Sequence, residues 1–343
     1  MAPKKGSKGK KPSTARAAGV PPGWMQGDFL PSSLKARDVE DLVVDGLVAA
    51  DSWRLPGNEA EPQPREGERV LLTSHLERGF SLPPHPFFRN FLNYFGAQLH
   101  HFPPNSIAYL AAFVSLCECF LGCPPHWGLF KHIFTVRSQA VKKPRTSDDR
   151  TNVIQLCGGL GIQKRKGSEF PPLTLPESVR GWQSTWFYCN DIAAPNMSTG
   201  LPPFTLARPT IPPSLAVTKE EAANVGILMN KVVDLVRGGV TGLDLLEVFL
   251  GRRIQPLQAR DHPMWHYSGV DDTTRTHPED VPEKTVAQWL RSITGARDNP
   301  RGSRRVPPFS ATNPPNVVSC DTVDCSASCR VICISSSALN LAE

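Results

Sequence analysis

Three observations place this chain in the α+β class. Apolar residues recur at helical spacing over 86–135 and again over 218–293. Short strand-like runs lie between them, near 150–190. The first 23 residues hold almost nothing that could be buried, and beyond 296 the chain turns polar and Pro-rich. The expected architecture is a helix-rich core with a small antiparallel sheet, a disordered basic N-terminal tail (1–29) and a disordered tail at 296–343, Pro-rich and then Cys/Ser-rich. The body, 30–295, divides into a helical part at 30–140, a small sheet at 150–190 and a second helical part at 218–295.

Charge is distributed unevenly. Lys4, Lys5, Lys8, Lys10, Lys11 and Arg16 lie in the first 20 residues, with no acid among them. Without these six, the 38 Lys and Arg fall to 32, against 32 Asp and Glu, so the net charge of +6 sits on the tail. A neutral body argues against a broad nucleic-acid-binding face. The tail could hold phosphate backbones or act as a nuclear import signal, and a plain solvating extension is the alternative. The 34 prolines in 343 residues are about twice the usual ~5% and imply short elements and long loops. No apolar leader opens the chain. Ile107 to Cys123 is its longest apolar stretch, carries Glu118, and reads as a buried helix too short for a bilayer. Nine cysteines, an odd number, suit reduced thiols in the nucleus or cytoplasm better than a disulfide framework.

Each element has its own signal. Ser33 can cap a helix carrying Val39, Leu42, Val43 and Leu47. Arg69 to Leu76 reads as a strand leading into a turn at Gly79. Pro86 opens a helix through Phe87, Phe88, Phe91, Leu92 and Phe95, with Gly96 as its stop. Asn105 caps a second helix bearing Ile107, Leu110, Ala111, Val114, Cys117 and Leu121 on one stripe, closed by Gly122. A third covers roughly 126–135. After a basic linker at 141–150, Val153 to Lys164 and Thr185 to Cys189 read as the arms of a hairpin. Gly158, Gly159 and Gly161 supply its bend, and Lys164-Arg-Lys166 a solvated turn. Thr218 and Glu221 form a capping box for a helix with Ala222, Val225, Met229, Val232 and Val236. Thr241 to Gly251 and Pro282 to Gly295 are the last two helices. Phe87, Phe91, Phe95, Trp182, Trp186 and Phe187 are the expected structural anchors. The Phe87, Phe91 and Phe95 face also suits self-association.

Motifs for chemistry are sparse. Cys117, Cys119, Cys123, His126 and His132 have neither finger nor knuckle spacing, so buried thiols are the better reading. Cys320, Cys325, Cys329 and Cys333 have no histidine after them. His262 and His266 lack the glutamate of a zinc protease and flank Pro263. Gly159-Leu-Gly161 lacks the third glycine of a dinucleotide site and the Lys-Ser/Thr of a P-loop. Asp-Ser/Thr-Gly is absent, and Gly269-Val-Asp-Asp272 is not a reverse-transcriptase signature. No catalytic residue, metal ligand or cofactor is assigned.

Several segments nevertheless resemble a known family. They are His85-Pro-Phe-Phe-Arg89 with Phe95-Gly96, and Pro104-Asn105 with Leu110-Ala-Ala-Phe-Val114, Leu116-Cys-Glu118, Phe120-Leu-Gly122 and Pro125-His126. Gly159 through Cys189, Arg252 to Arg260, His262 to Trp265, Tyr267 to Gly269, His277 to Asp280 and Asn299 to Gly302 complete the set. Together, over roughly 30–310, they resemble the plant gypsy-type transposon domain, also described as a gypsy-type transposase, of retroelement proteins. The stretch 317–343 departs from the acidic or coiled-coil extension expected there. The resemblance implies a non-catalytic structural or accessory protein of a retroelement, acting through protein–protein or nucleic-acid contacts. Its partners would be copies of itself, other retroelement proteins, or nucleic acid held by the tail, with no membrane. A diverged metal-dependent nuclease or transposase, and a decayed element without function, are the alternatives.

Overall fold

The computed structural model describes residues 27–82, 84–142, 152–194, 197–198, 200–252, 281–297, 300, 302 and 306–309. Helix α1 (Ala36–Val44) starts where Asp38 turns its carboxylate back to accept the Lys35 N–H at 2.7 Å. Ser33 is not its cap. The Ser33 hydroxyl instead donates to the Ser184 carbonyl, tying the entry segment to a distant turn. Strand β1 (Trp53–Arg54) and strand β2 (Glu68–Leu72) follow. Strand β2 passes directly into one helical turn, α2 (Thr73–Leu76), so the strand ends before the expected Leu76. The Glu77 N–H donates to the Thr73 carbonyl at 3.0 Å, which closes a helical turn and ends the strand.

Helix α3 (Pro86–Phe95) has the expected punctuation. Proline is its first residue, His85 Nδ1 accepts the Phe87 N–H at 3.0 Å, and Gly96 ends it at φ 55°. Helix α4 (Pro104–Ser115) begins at Pro104, with Pro103 in the capping position. Asn105 is therefore not the cap, and its Nδ2 donates to the Pro176 carbonyl at 2.6 Å. The helix continues through a π-helical turn, Leu116–Leu121, and stops at Gly122. Pro104–Leu121 is long and apolar enough to cross a membrane by length and composition, but 89% of it is buried inside the protein. Helix α5 (Trp127–Ile133) is capped by His126, whose Nδ1 accepts the Leu129 N–H.

The strands then form four small antiparallel arrangements. Strand β3 (Phe134–Ser138) pairs with β6 (Leu160–Lys164), and β4 (Ala140–Lys142) with β5 (Asn152–Ile154). Strand β7 (Trp186–Asn190) lies between β1 and β2, with Tyr188 opposite Arg54 on one side and Val70 on the other. Strands β8 (Ile192–Ala194) and β9 (Met197–Ser198) pair locally. The expected hairpin between 153–164 and 185–189 is thus corrected. Its two arms belong to different sheets, and its first arm is broken at 155–159. Strands outside 150–190 supply most of the partners, β1 and β2 for β7, β3 for β6 and β4 for β5.

Three helices close the fold. Helix α6 (Lys219–Arg237) carries the expected capping box, with the Glu221 carboxylate accepting the Thr218 N–H at 2.8 Å. Glu221 also pairs with Lys131 of α5 at 2.6 Å. Helix α7 (Gly242–Arg252) starts from Thr241, whose N–H and hydroxyl both donate to Asp244 at 2.7 Å. Helix α8 (Glu283–Thr294) ends at Gly295, φ 68°. Within the region expected to be a tail, the Gly302 N–H donates to Glu247 and the Phe309 N–H to the Cys119 carbonyl.

The main core draws on residues from Val39 to Ile293 and is dominated by aromatic rings. Phe87, Phe91 and Phe95 are 7%, 0% and 8% exposed, so they cannot form a self-association face. Their rings pack on Phe113, Phe102, Phe130 and Trp127. Trp127 stacks flat on Phe130 at 5.4 Å. A second cluster holds Phe29, Val70, Leu72, Leu156, Cys157, Trp182, Trp186 and Tyr188. Alternation along β7 separates the two: Phe187 and Cys189 face the main core, Trp186 and Tyr188 the second cluster. Trp182 and Trp186 therefore anchor that second cluster and not the helical core. Arg165 also leaves its expected solvated turn, donating to the Lys131 and Phe134 carbonyls, while Lys164 and Lys166 stay exposed.

Three buried imidazoles lie where the clusters meet. His75 touches Trp182, and His100 touches Phe29 and His101. Burial pushes His75 down to about 3 and His101 to about 4, and holds His100 well below the usual range. His101 is a neutral tautomer, accepting the Gln98 N–H at Nδ1 and donating from Nε2 to the Ala207 carbonyl.

Two predictions follow from this packing. Below about pH 6.5 an unfolded histidine takes a proton that these three refuse, so stability falls as acid is added, until pH approaches their folded values near 4 and 3. Each contributes about 1.4 kcal/mol per pH unit in that window. Glu118, raised by burial, takes up a proton on folding and offsets part of the loss. Urea unfolding should show a lower midpoint at pH 5.5 than at 7.5, and His101→Gln should flatten the difference. A midpoint equal at both pH values contradicts this. Phe91→Ala should cost about 3–5 kcal/mol in the same assay, with the folded fraction keeping its oligomeric state in gel filtration.

Candidate functional site

A cleft of about 530 Å³ opens beside the Gly-Gly stretch. One wall is the start of α4. A second is the 155–163 segment that leads into and along β6, and the third is the loop 177–183. Helix α4 contributes Asn105 and Tyr109, the two of its twelve residues that are not buried. They are four apart and so lie on one stripe.

Glycine shapes the second wall. A Cβ on Gly159 would lie 2.0 Å from the Gln155 carbonyl oxygen, so no larger residue fits this turn. Gly158 has φ 73°, and a Cβ there would sit 3.3 Å from the Trp182 ring. The Gly158 N–H donates to the His100 carbonyl, fixing the turn to the core. Trp182 lies at the base of the loop, 5% exposed. On β6 the Ile162 N–H donates to Ser106 Oγ at 3.1 Å, which occupies that point of the strand edge.

The lining is polar and almost neutral. Gln139, Gln155, Gln163 and Gln183 bring carboxamides that make no hydrogen bond among the described residues. Asn105 Oδ1 is buried there without a partner. Glu177 and Arg180 are both exposed at the rim and cancel in charge. Burial holds the Cys157 thiol well above its usual range, which disfavours the nucleophilic thiolate. The arrangement offers hydrogen-bond donors and acceptors without an acid–base pair.

The histidines and the glutamate that burial shifts, His75, His100, His101, His126 and Glu118, are inside the protein, and on the cleft wall burial also raises Tyr109. His85 Nε2 donates to Glu118 Oε1 at 3.0 Å, joining the start of α3 to the π-turn, and burial raises the Glu118 carboxyl. Neither lines the cleft. Cys117, Cys119 and Cys123 are buried thiols outside any disulfide, His126 is a helix cap, and His132 is exposed. Among the described residues, no three His, Cys, Asp or Glu side chains gather where they could share a metal ion. Lys4, Lys5, Lys8, Lys10, Lys11 and Arg16 lie outside the described residues, as do His262, His266 and the four cysteines from Cys320 to Cys333. Sequence reasoning missed the cleft, because isolated glutamines carry no motif. Asn105 was the one signal, and it pointed to a cap.

Gly159→Ala should destabilise the fold by at least the roughly 1–3 kcal/mol typical of an overpacked site. Gly57→Ala, with open space around its Cβ, is the control and should stay within about 0.5 kcal/mol. Equal unfolding midpoints for the two variants contradict the assigned turn.

Comparison with known proteins gives one finding. No curated protein and no solved structure matches the chain. Residues 70–138, from β2 through β3, match the family described as "Putative gypsy type transposon". That span includes α3, α4, the π-turn and α5, and stops before the Gly-Gly stretch. The likeness to the gypsy-type transposon family thus spans residues 70–138, about a fifth of the chain.

Proposed function

We propose that this is a non-catalytic structural or accessory protein of a retroelement, working through contacts with protein or nucleic acid. The observation that carries the reading is the cleft itself. It opens beside the Gly-Gly stretch, and its lining presents hydrogen-bonding groups without an acid–base pair. The shifted histidines and Glu118 support the same reading. They are enclosed in the core and hold elements together. A second contact element is the basic tail, whose six cations suit phosphate backbones.

The test has two arms. Full-length protein incubated with DNA and magnesium or manganese should give no cleavage above the buffer control. Cleavage that disappears with a single carboxylate substitution would establish an enzyme and defeat the proposal. At low salt the protein should retain single-stranded nucleic acid or sediment as more than a monomer. Retention through six tail contacts should fall with a slope of log affinity on log salt near −4, at about −0.7 per contact, and vanish when residues 1–20 are removed. A strictly monomeric protein with no retention sinks the proposal.

A further inference from the structure

We propose that the cleft between α4, β6 and the 177–183 loop takes an uncharged, extended polypeptide segment. The inference rests on the cleft being a contact site and adds the chemistry of its occupant.

Three observations select that chemistry. The first is unspent hydrogen-bonding capacity. Gln139, Gln155, Gln163 and Gln183 project carboxamides with no partner among the described residues, and Asn105 Oδ1 is buried and unpaired. Each free carboxamide offers both a donor and an acceptor. A peptide backbone repeats that pair at every residue, so an extended chain can satisfy them in series. An apolar partner would leave them buried and unmet.

The second is charge. The rim holds one Glu and one Arg, and the lining carries no Lys. A nucleic-acid strand brings a negative charge with each nucleotide and is met in known grooves by Lys and Arg. In the lining only Arg180 is positive and Glu177 offsets it, whereas a neutral segment requires no charge there. Charge complementarity therefore favours peptide over nucleic acid at this place, whatever the tail binds.

The third is rigidity. The cleft walls are a helix, a strand segment fixed by Ile162 N–H to Ser106, and a loop fixed by Asn105 to the Pro176 carbonyl. A preformed site loses less entropy on binding than one that must be ordered.

The test compares full-length protein with two double variants. One is Gln163→Ala with Gln183→Ala; the other is Gln163→Glu with Gln183→Glu. Gln163 is exposed and Gln183 partly so, and circular dichroism and the melting midpoint check that the fold is kept. The probes are arrays of immobilised uncharged decapeptides, the same sequences carrying two lysines or two glutamates, and a fluorescent single-stranded thymidine oligonucleotide. Wild-type protein should prefer uncharged peptides, and the alanine pair should lose roughly five- to tenfold in affinity, the weight of one or two hydrogen bonds. The glutamate pair should shift its preference to the lysine peptides. Binding of the oligonucleotide through the tail should be equal in all three proteins. If instead the variants change oligonucleotide or charged-peptide binding and leave uncharged peptides unaffected, the inference falls while the contact-site reading stands. If no probe responds to either variant, the contact-site reading of the cleft falls with it.

Discussion

Covering α4 on all but one stripe is the constraint on which the rest of this structure depends. The helix and its π-turn are apolar around the whole circumference, so packing one face alone would leave the other in water. Helices α2 and α7 and strand β6 all pack against it. Each large side chain buried there is worth about 1.5–3 kcal/mol. Two polar intruders are answered, Ser106 by the Ile162 N–H and Glu118 Oε1 by His85, while Ser115 Oγ and Glu118 Oε2 are buried without a partner among the described residues. Only the Asn105–Tyr109 stripe is left partly uncovered, and the cleft is the space in front of it.

The division between legible and illegible parts follows from this. Helix α3 was readable because Pro86 and Gly96 act within a few residues of the chain they punctuate. The Thr218–Glu221 box is equally local. The sheets were not readable, since β7 pairs with strands more than a hundred residues earlier and nothing in Trp186–Asn190 names its partners. The Gly-Gly stretch looked like the bend of a hairpin because strands flank it. Its actual task is a tight turn forced by Gly159, and the two strands diverge to separate sheets. Ser33 and Asn105 illustrate a further limit. Both have side chains that cap helices well, and both are drawn to distant carbonyls, Ser184 and Pro176, which no local rule can anticipate.

Histidine and cysteine usually invite a chemical reading, and here packing accounts for them. His75 gives its Nε2 to the Phe102 carbonyl, His126 and His85 cap helices, and Cys117 lies in the main core. Burial drives each shifted histidine toward the neutral form, which removes the charge change that makes histidine useful near neutral pH. These side chains serve as hydrogen-bonding spacers between aromatic rings. The Arg54 guanidinium has a similar task, lying 3.8 Å over the Tyr188 ring while gripping Glu68 with two hydrogen bonds across the three-stranded sheet.

The carboxamides of the cleft are exposed or half-buried and meet no protein partner among the described residues. Sealing four carboxamides under an apolar surface would cost about 1–3 kcal/mol each. At 25 cal/mol per Å², offsetting that loss would take roughly 160–480 Å² of extra apolar contact. The lining supplies little apolar surface to provide it. A partner that brings its own amides avoids the cost, and one without charge avoids the desolvation that Glu177 and Arg180 cannot repay together. The same segregation runs through the sequence, where the charge excess is confined to the first 20 residues and the body is balanced. On the proposed reading, recognition of charge and recognition of neutral hydrogen-bonding groups would be separated along the chain. Each can then change without disturbing the helix on which the fold is built.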